Sequence, residues 1–173
     1  ALDWHVDGII WLPFADIESY PPRLLERLRG SNVKTIFLQR RLPEMPGSLL
    51  GIDYKGGIRK MIAHLASRYR KVLYVSTKSW FELKNQRKQF LAEEMQKYDI
   101  EYEPISLSTE CGFAGEIAAI LESRRHYPMA MVCDIDWMAL DALEVARRMR
   151  IDIPRQLGVV TIGDHRIGGY HHL

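Results

Sequence analysis

Two carboxylates stand directly after an apolar segment near the C-terminal end of the sequence. Residues 129–133 (MAMVC) are apolar throughout, and Asp134 and Asp136 follow them before a helical pattern begins. Open α/β folds bind their ligands at the carboxyl ends of parallel strands, where a strand gives way to a helix. We therefore expect these carboxylates to lie at a ligand-binding edge of a sheet. Asp136 also has the position of a helix N-cap, and this alternative stays open.

Apolar strands alternate with amphipathic helices along the whole chain. The predicted strands are Val6–Leu12, Val33–Gln39, Val72–Ser76, Ile100–Ile105, Met129–Cys133 and Gly158–Ile162. Five helical patterns lie between them, such as the apolar residues at 58, 61, 62 and 65, which share one helical face. This alternation predicts an α/β fold with parallel sheets, flanking helices and right-handed crossovers. The polar connection Arg40–Gly51 contains Pro and Gly, and it is the best candidate for a boundary between two lobes.

Composition and motifs argue against several classes of protein. The 24 basic and 22 acidic residues give a formal net charge of +2, which is too balanced to indicate a nucleic-acid surface. No apolar run approaches the roughly 18 residues of a membrane span. Cys111 and Cys133 lack the spacing of a metal or redox pair, so we expect buried free thiols. The sequence contains no glycine-rich phosphate loop and no nucleophile elbow. We therefore predict no catalytic residues, no metal site and no cofactor, and a binding module rather than an enzyme.

Several motifs together resemble the effector-binding domain of lactose-repressor-family transcription regulators, a relative of periplasmic sugar-binding proteins. The first is the strand 6–10 (VDGII), and the second is the helix entry 53–57 (DYKGG). Arg87 stands three residues before Phe90 on a later helix, and Asp136 begins the segment DWMALDAL. These features occur in the family's order from about residue 6 to residue 164. The resemblance therefore covers nearly the whole chain.

The resemblance implies periplasmic-binding-protein-like lobes and a place for the ligand. Residues 1–50 would be part of a first lobe, and residues 51–173 a nearly complete second lobe, in a chain truncated at both ends. Asp53, Arg87 and Asp136 would bind the effector, because carboxylates accept hydrogen bonds from hydroxyl groups and a guanidinium donates them in a planar fork. Asp53 also fits a helix N-cap, and Arg87 fits a solvated helix surface.

The aromatic residue that often stacks on the ligand in sugar-responsive relatives has no counterpart after the strand 100–105. Trp80 is our candidate for a stacking surface from a different wall of the site, and Trp137 is a second candidate that also fits the core. The departure leaves the chemical class of the effector open, with a sugar as the default.

The predicted function is the ligand-sensing domain of a cytoplasmic bacterial transcriptional regulator. By the resemblance, a small-molecule effector would alter the closure of two lobes in a homodimer. DNA would be bound only through a separate helix-turn-helix domain that is absent from this chain, and no membrane would be involved. The alternatives are a periplasmic-type solute-binding receptor domain and an unrecognised α/β enzyme.

The proposed effector site predicts where three side chains lie and how a substitution changes binding. Asp53, Arg87 and Asp136 should converge within one small-ligand diameter at the carboxyl edge of the sheet. Replacing Arg87 by Ala should weaken effector binding by about 2–3 kcal/mol. The same substitution should leave thermal stability almost unchanged if Arg87 is otherwise solvated.

Overall fold

The chain folds into two compact units, Ala1–Asp53 and Tyr54–Leu173. A computed structural model describes residues 6–13, 17–78, 82–108, 112–124 and 128–163, with the side chains of residues 82–85 left out. Both units contain a parallel sheet, and the order of strands and helices along the chain is the predicted one except for one additional short strand within residues 40–51. The predicted α/β fold with parallel sheets and flanking helices is therefore confirmed.

The first unit is a three-stranded parallel sheet with strand order β1-β2-β3. Its elements are β1 (Gly8–Trp11), a 3-10 turn (Ile17–Ser19), α1 (Pro22–Arg29), β2 (Lys34–Leu38) and β3 (Ser48–Leu50). Helix α1 begins at Pro22 and ends before Gly30; proline is tolerated in the first turn because its missing N–H would have no partner there. Strand β3 lies inside the segment 40–51, which we predicted to be a connection, and this part of the prediction was wrong.

One face of this first sheet is covered and the opposite face is exposed. Phe37 is fully buried and packs with Leu25 and Leu28 of α1. The opposite face presents Ile10 at 72% exposure and Ile36 beside it in the strand register. The side of this short sheet opposite α1 is therefore an exposed apolar surface.

The second unit is a four-stranded parallel sheet with strand order β5-β4-β6-β7. Its elements are α2 (Tyr54–Ala66), β4 (Lys71–Thr77), α3 (Glu82–Gln96), β5 (Glu101–Leu107), α4 (Ala114–Ser123), β6 (Met129–Cys133), α5 (Asp136–Arg148) and β7 (Leu157–Thr161). All five residues of β6 and the central five of β4 are buried. Such continuous apolar runs are typical of parallel strands that are covered on both faces.

Alternation along the central strands separates the core into two layers. Leu73 and Val75 of β4 belong to the apolar cluster formed with α4 and α5. Val72 and Tyr74 point to the opposite side and join the cluster formed with α2 and α3. Side chains that follow β4 or β6 with the same alternation as Tyr74 therefore lie on the α2/α3 side of the sheet.

The contact between β7 and the end of α2 gives a prediction about stability. Tyr69 is buried, its hydroxyl donates to the Pro154 carbonyl oxygen at 2.6 Å, and a Cβ added at Gly158 would come within 2.6 Å of its ring. Gly158→Ala should therefore lower the free energy of unfolding by about 1–3 kcal/mol through overpacking. Urea denaturation followed by circular dichroism measures the change.

Gly57 provides the matched control, because it lies in α2 and a Cβ there meets nothing within 4 Å. Gly57→Ala should raise the free energy of unfolding by about 0.5–1 kcal/mol, since alanine restricts the unfolded chain more than glycine does. Equal effects of the two substitutions would contradict the packing that we describe at Tyr69.

Candidate functional site

A cluster of polar side chains lies at the carboxyl ends of β4 and β6, on the α2/α3 side of the second sheet. Asp134 directly follows β6, and its backbone N–H donates to the Val75 carbonyl oxygen at 2.9 Å. The parallel pairing of the two strands therefore extends by one residue and places Asp134 next to Ser76. By strand alternation, Tyr74, Ser76 and Asp134 face the same side.

The carboxylate of Asp134 is enclosed, with the residue only 1% exposed. Its Oδ1 atom accepts a hydrogen bond from the hydroxyl of Tyr74 at 2.8 Å and another from Nη1 of Arg87 at 2.8 Å. A buried carboxylate is tolerated when hydrogen-bond donors and an opposite charge replace its water. Tyr74 and Arg87 supply both.

Arg87 connects this carboxylate to helix α2. Its side chain is 15% exposed. Nη2 donates to the hydroxyl of Tyr54 at 2.8 Å, and the guanidinium carbon lies 4.3 Å from the centre of the Tyr54 ring. An arginine over an aromatic face gains a cation–π attraction in addition to its hydrogen bonds. The guanidinium on α3 is therefore fixed by one group from α2 and one group at the end of β6.

The environment sets the protonation states of this cluster. Burial and the neighbouring Asp134 charge raise the pKa of the Tyr74 hydroxyl well above its ordinary value. Burial on its own lowers the pKa of Arg87, but the hydrogen bond and charge of Asp134 outweigh it and the pKa is raised. At neutral pH Tyr74 is therefore a proton donor and Arg87 is a cation.

Two side-chain hydrogen-bond donors in the cluster are buried and have no partner among the described residues. They are Oγ of Ser76 and Nε of Arg87. Buried polar atoms in folded proteins are nearly always hydrogen-bonded to protein or water. Each of these two groups can therefore donate a hydrogen bond to a water or a polar ligand that reaches it.

Asp136 is the first residue of α5, and the N-cap position belongs to Ile135, so our N-cap interpretation of Asp136 was wrong by one residue. Its side chain is 7% exposed, and Oδ1 accepts a hydrogen bond from the backbone N–H of Trp137 at 3.1 Å. A carboxylate in the first turn interacts favourably with the helix dipole. Asp136 therefore stabilises the start of the helix from inside it.

The other predicted residues have different surroundings. Asp53 is exposed and is the last residue of the first unit, immediately before α2. Trp80 lies outside the described residues. Trp137 is 57% exposed, so the interpretation of this ring as core packing was wrong.

Sequence reasoning missed the partners of Arg87. Asp134 was expected at the ligand-binding edge but was not selected as an effector contact, and Tyr74, Ser76 and the role of Tyr54 were not anticipated. A signal was present, because Tyr74 and Asp134 each interrupt or end a buried apolar strand. Their spacing from Val72 and Val132 puts both on one face of the sheet.

Other chemistry is limited in the part of the chain that the structure describes. No group of three or more His, Cys, Asp or Glu residues there is arranged to hold a metal ion. Burial, with the nearby Asp134 charge, raises the pKa of the Cys133 thiol to about 12, so it stays protonated at neutral pH.

Among the described helices, none combines the length and the apolar character needed to cross a membrane.

A scan against protein-family models matches residues 62–172 to the periplasmic binding protein-like domain. The chain belongs to this family. The matched region covers most of the second unit, including Arg87 and Asp134. A search of curated proteins found no significant match.

Solved structures of transcriptional regulators share the fold. A LacI-family regulator from Bifidobacterium animalis subsp. lactis superimposes with a TM-score of 0.79 and 21% identity, over 99% of this chain and 62% of that one. A PurR-family regulator from Vibrio parahaemolyticus superimposes with a TM-score of 0.76 and 15% identity, over 95% of this chain and 64% of that one. A sugar-binding LacI-family regulator from Escherichia coli, in complex with phosphate, superimposes with a TM-score of 0.74 and 17% identity. The match covers 98% of this chain and 62% of that one.

The chain thus spans somewhat less than two thirds of the length of these structures. The predicted resemblance to the effector-binding domain of lactose-repressor-family regulators is confirmed in the domain family and in the fold.

The buried ion pair gives a second prediction and revises the expectation that Arg87 contributes little to stability. Arg87→Met leaves the Asp134 carboxylate buried without its cation, so the free energy of unfolding should fall by about 3–5 kcal/mol. The double variant Arg87→Met/Asp134→Asn should lose less than the single variant, because it removes the isolated charge. Urea unfolding of both variants measures the difference.

Arg147→Met is the control for this experiment. Arg147 pairs with Glu144 on α5, but its side chain is 72% exposed. An exposed pair of this kind contributes about 0–1 kcal/mol. If Arg87→Met is as stable as this control, the Arg87–Asp134 pair does not have the role that we give it.

Proposed function

We propose that this chain is the ligand-sensing domain of a bacterial transcriptional regulator and that a small polar effector binds at the carboxyl edge of its second sheet. One observation carries the proposal. The guanidinium of Arg87, partly exposed, is held at that edge by Asp134 and Tyr54, beside buried polar atoms that have hydrogen bonds to offer. Ligands of open α/β folds bind at this edge.

The fold supports sensing rather than catalysis. The solved structures of like fold named above are transcriptional regulators. In this proposal the first unit is part of one lobe, over about residues 1–50, and the second unit is the other lobe, over about residues 51–173. Asp53 and Trp80 stay candidate effector contacts by the resemblance, together with Arg87 and Asp136.

The effector would act by selecting a conformation. A ligand changes the output of a regulator only if it binds one conformation of the domain more tightly than the other. DNA contact would come from a separate domain, in a cytoplasmic homodimer. A sugar is the first effector class to test, since one regulator of like fold is described as sugar-binding.

The test begins with the ligand and then removes the guanidinium. Native mass spectrometry of the purified protein, followed by titration calorimetry with a panel of neutral sugars and nucleosides, identifies a compound that binds. Arg87→Met should weaken its binding by about 2–3 kcal/mol, as expected when a charged hydrogen-bonding group is lost. Circular dichroism at the titration temperature shows whether each variant is folded.

Arg147→Met again serves as the control and should bind the compound as the wild type does, because Arg147 projects from α5 into solvent. Equal binding by the wild type and a folded Arg87→Met variant would show that the effector site lies elsewhere. The proposed site would then be wrong.

A further inference from the structure

An arginine in a binding site usually selects anions. Its planar guanidinium matches the oxygen atoms of carboxylates and phosphates and can bind them with two parallel hydrogen bonds. In this chain one of the terminal nitrogens of Arg87 already donates to a carboxylate that belongs to the protein itself. The other terminal nitrogen donates to the hydroxyl of Tyr54. Arg87 therefore presents neither a full positive charge nor an open fork.

Because the Arg87–Asp134 pair is buried, the negative charge of Asp134 offsets the positive charge of Arg87 effectively. Asp134 is 1% exposed and the Arg87 side chain is 15% exposed, so little water separates or screens the two charges. An anionic ligand on Arg87 would also lie close to the buried carboxylate and would be repelled in the same poorly screened surroundings. Attraction by the guanidinium and repulsion by Asp134 would largely cancel.

Neighbouring groups also favour uncharged ligands over anions. Asp136 adds a second buried carboxylate two residues further along the same edge. Lys78, which directly follows β4, is exposed, so its charge is screened by solvent. Ser76 Oγ and Arg87 Nε are the buried hydrogen-bond donors of the cluster that lack a partner among the described residues, and the oxygen of a neutral hydroxyl or carbonyl group can accept from both.

We infer that Asp134 determines specificity, because it neutralises Arg87 and makes the site select uncharged polar ligands over anions. The inference rests on the proposed function and names the class of effector that the site accepts. Asp134 acts through Arg87, so it is a positioning and charge-compensating residue. Tyr74 holds its carboxylate in place.

The test uses inorganic phosphate as the probe, so that it does not depend on the identity of the effector. Asparagine keeps the shape of Asp134 and can still accept the hydrogen bond from Tyr74, but it removes the charge. Asp134→Asn should bind phosphate at least tenfold more tightly than the wild type in titration calorimetry at low ionic strength. The gain should disappear in Arg87→Met/Asp134→Asn, because the binding charge is then absent.

Two controls separate this effect from general changes. Tyr74→Phe removes the hydroxyl that supports Asp134 but leaves the charge, so phosphate binding should stay at the wild-type level. Lys78→Met in the Asp134→Asn background removes the exposed cation, and most of the gain should remain. Asp134→Ser is a second charge-removing variant, used if asparagine prevents folding as judged by circular dichroism.

Either of two results overturns the inference. One is saturable phosphate binding by the wild type that Arg87→Met abolishes. The other is a folded Asp134→Asn variant with no gain for phosphate. The first result needs only the wild type and a folded Arg87→Met variant that keeps Asp134, so it can overturn the inference even if every substitution at Asp134 unfolds the protein.

The failure of this inference differs from the failure of the proposed function. The effector site in the proposed function is wrong if a neutral compound binds equally well with and without Arg87. The inference fails on the phosphate titrations alone, whether or not an effector has been found. The two sets of measurements can therefore give independent answers.

Discussion

A carboxylate with 1% exposure keeps its charge only where donors replace the water that it has lost. For Asp134 these donors come from β4 through Tyr74 and from α3 through Arg87, and Arg87 in turn contacts Tyr54 at the start of α2. Two strands and two helices thus meet around one negative charge. The position of Arg87 at the sheet edge follows from this requirement, and so does the chemistry that the edge can offer to a ligand.

The architecture of the second unit was predictable because its strands are long apolar runs and its helices have a clear apolar face. Met129–Cys133 was predicted with its observed bounds, and the other three strands of this sheet differ by one or two residues at their ends. Strand β3 was missed for a physical reason. It has three residues, all of them exposed, so neither a buried run nor an alternating pattern marks it.

The site was only partly predictable. Arg87 was selected because its position resembles that of a family motif, and the structure places it at the predicted edge. Its partner Asp134 is 47 residues away in the sequence, and only the strand register brings the two together. Sequence patterns report which face a residue occupies, but they do not report which helix covers that face. The pairing of a surface-like arginine with a buried aspartate therefore needed the three-dimensional structure.

The position of Asp134 also bears on how the strands find their alignment. In the observed register, alternate residues of β6 face opposite layers, and Asp134 falls on the side of Tyr74 and Arg87. A slip of β6 by one residue against β4 would turn this carboxylate into the apolar layer beneath α4 and α5, which contains Val75 and Met138. Such a misaligned sheet would carry a buried charge among apolar side chains, a cost that few alternative packings can offset. The residue that sets the charge of the edge thereby also selects one alignment of the central strands.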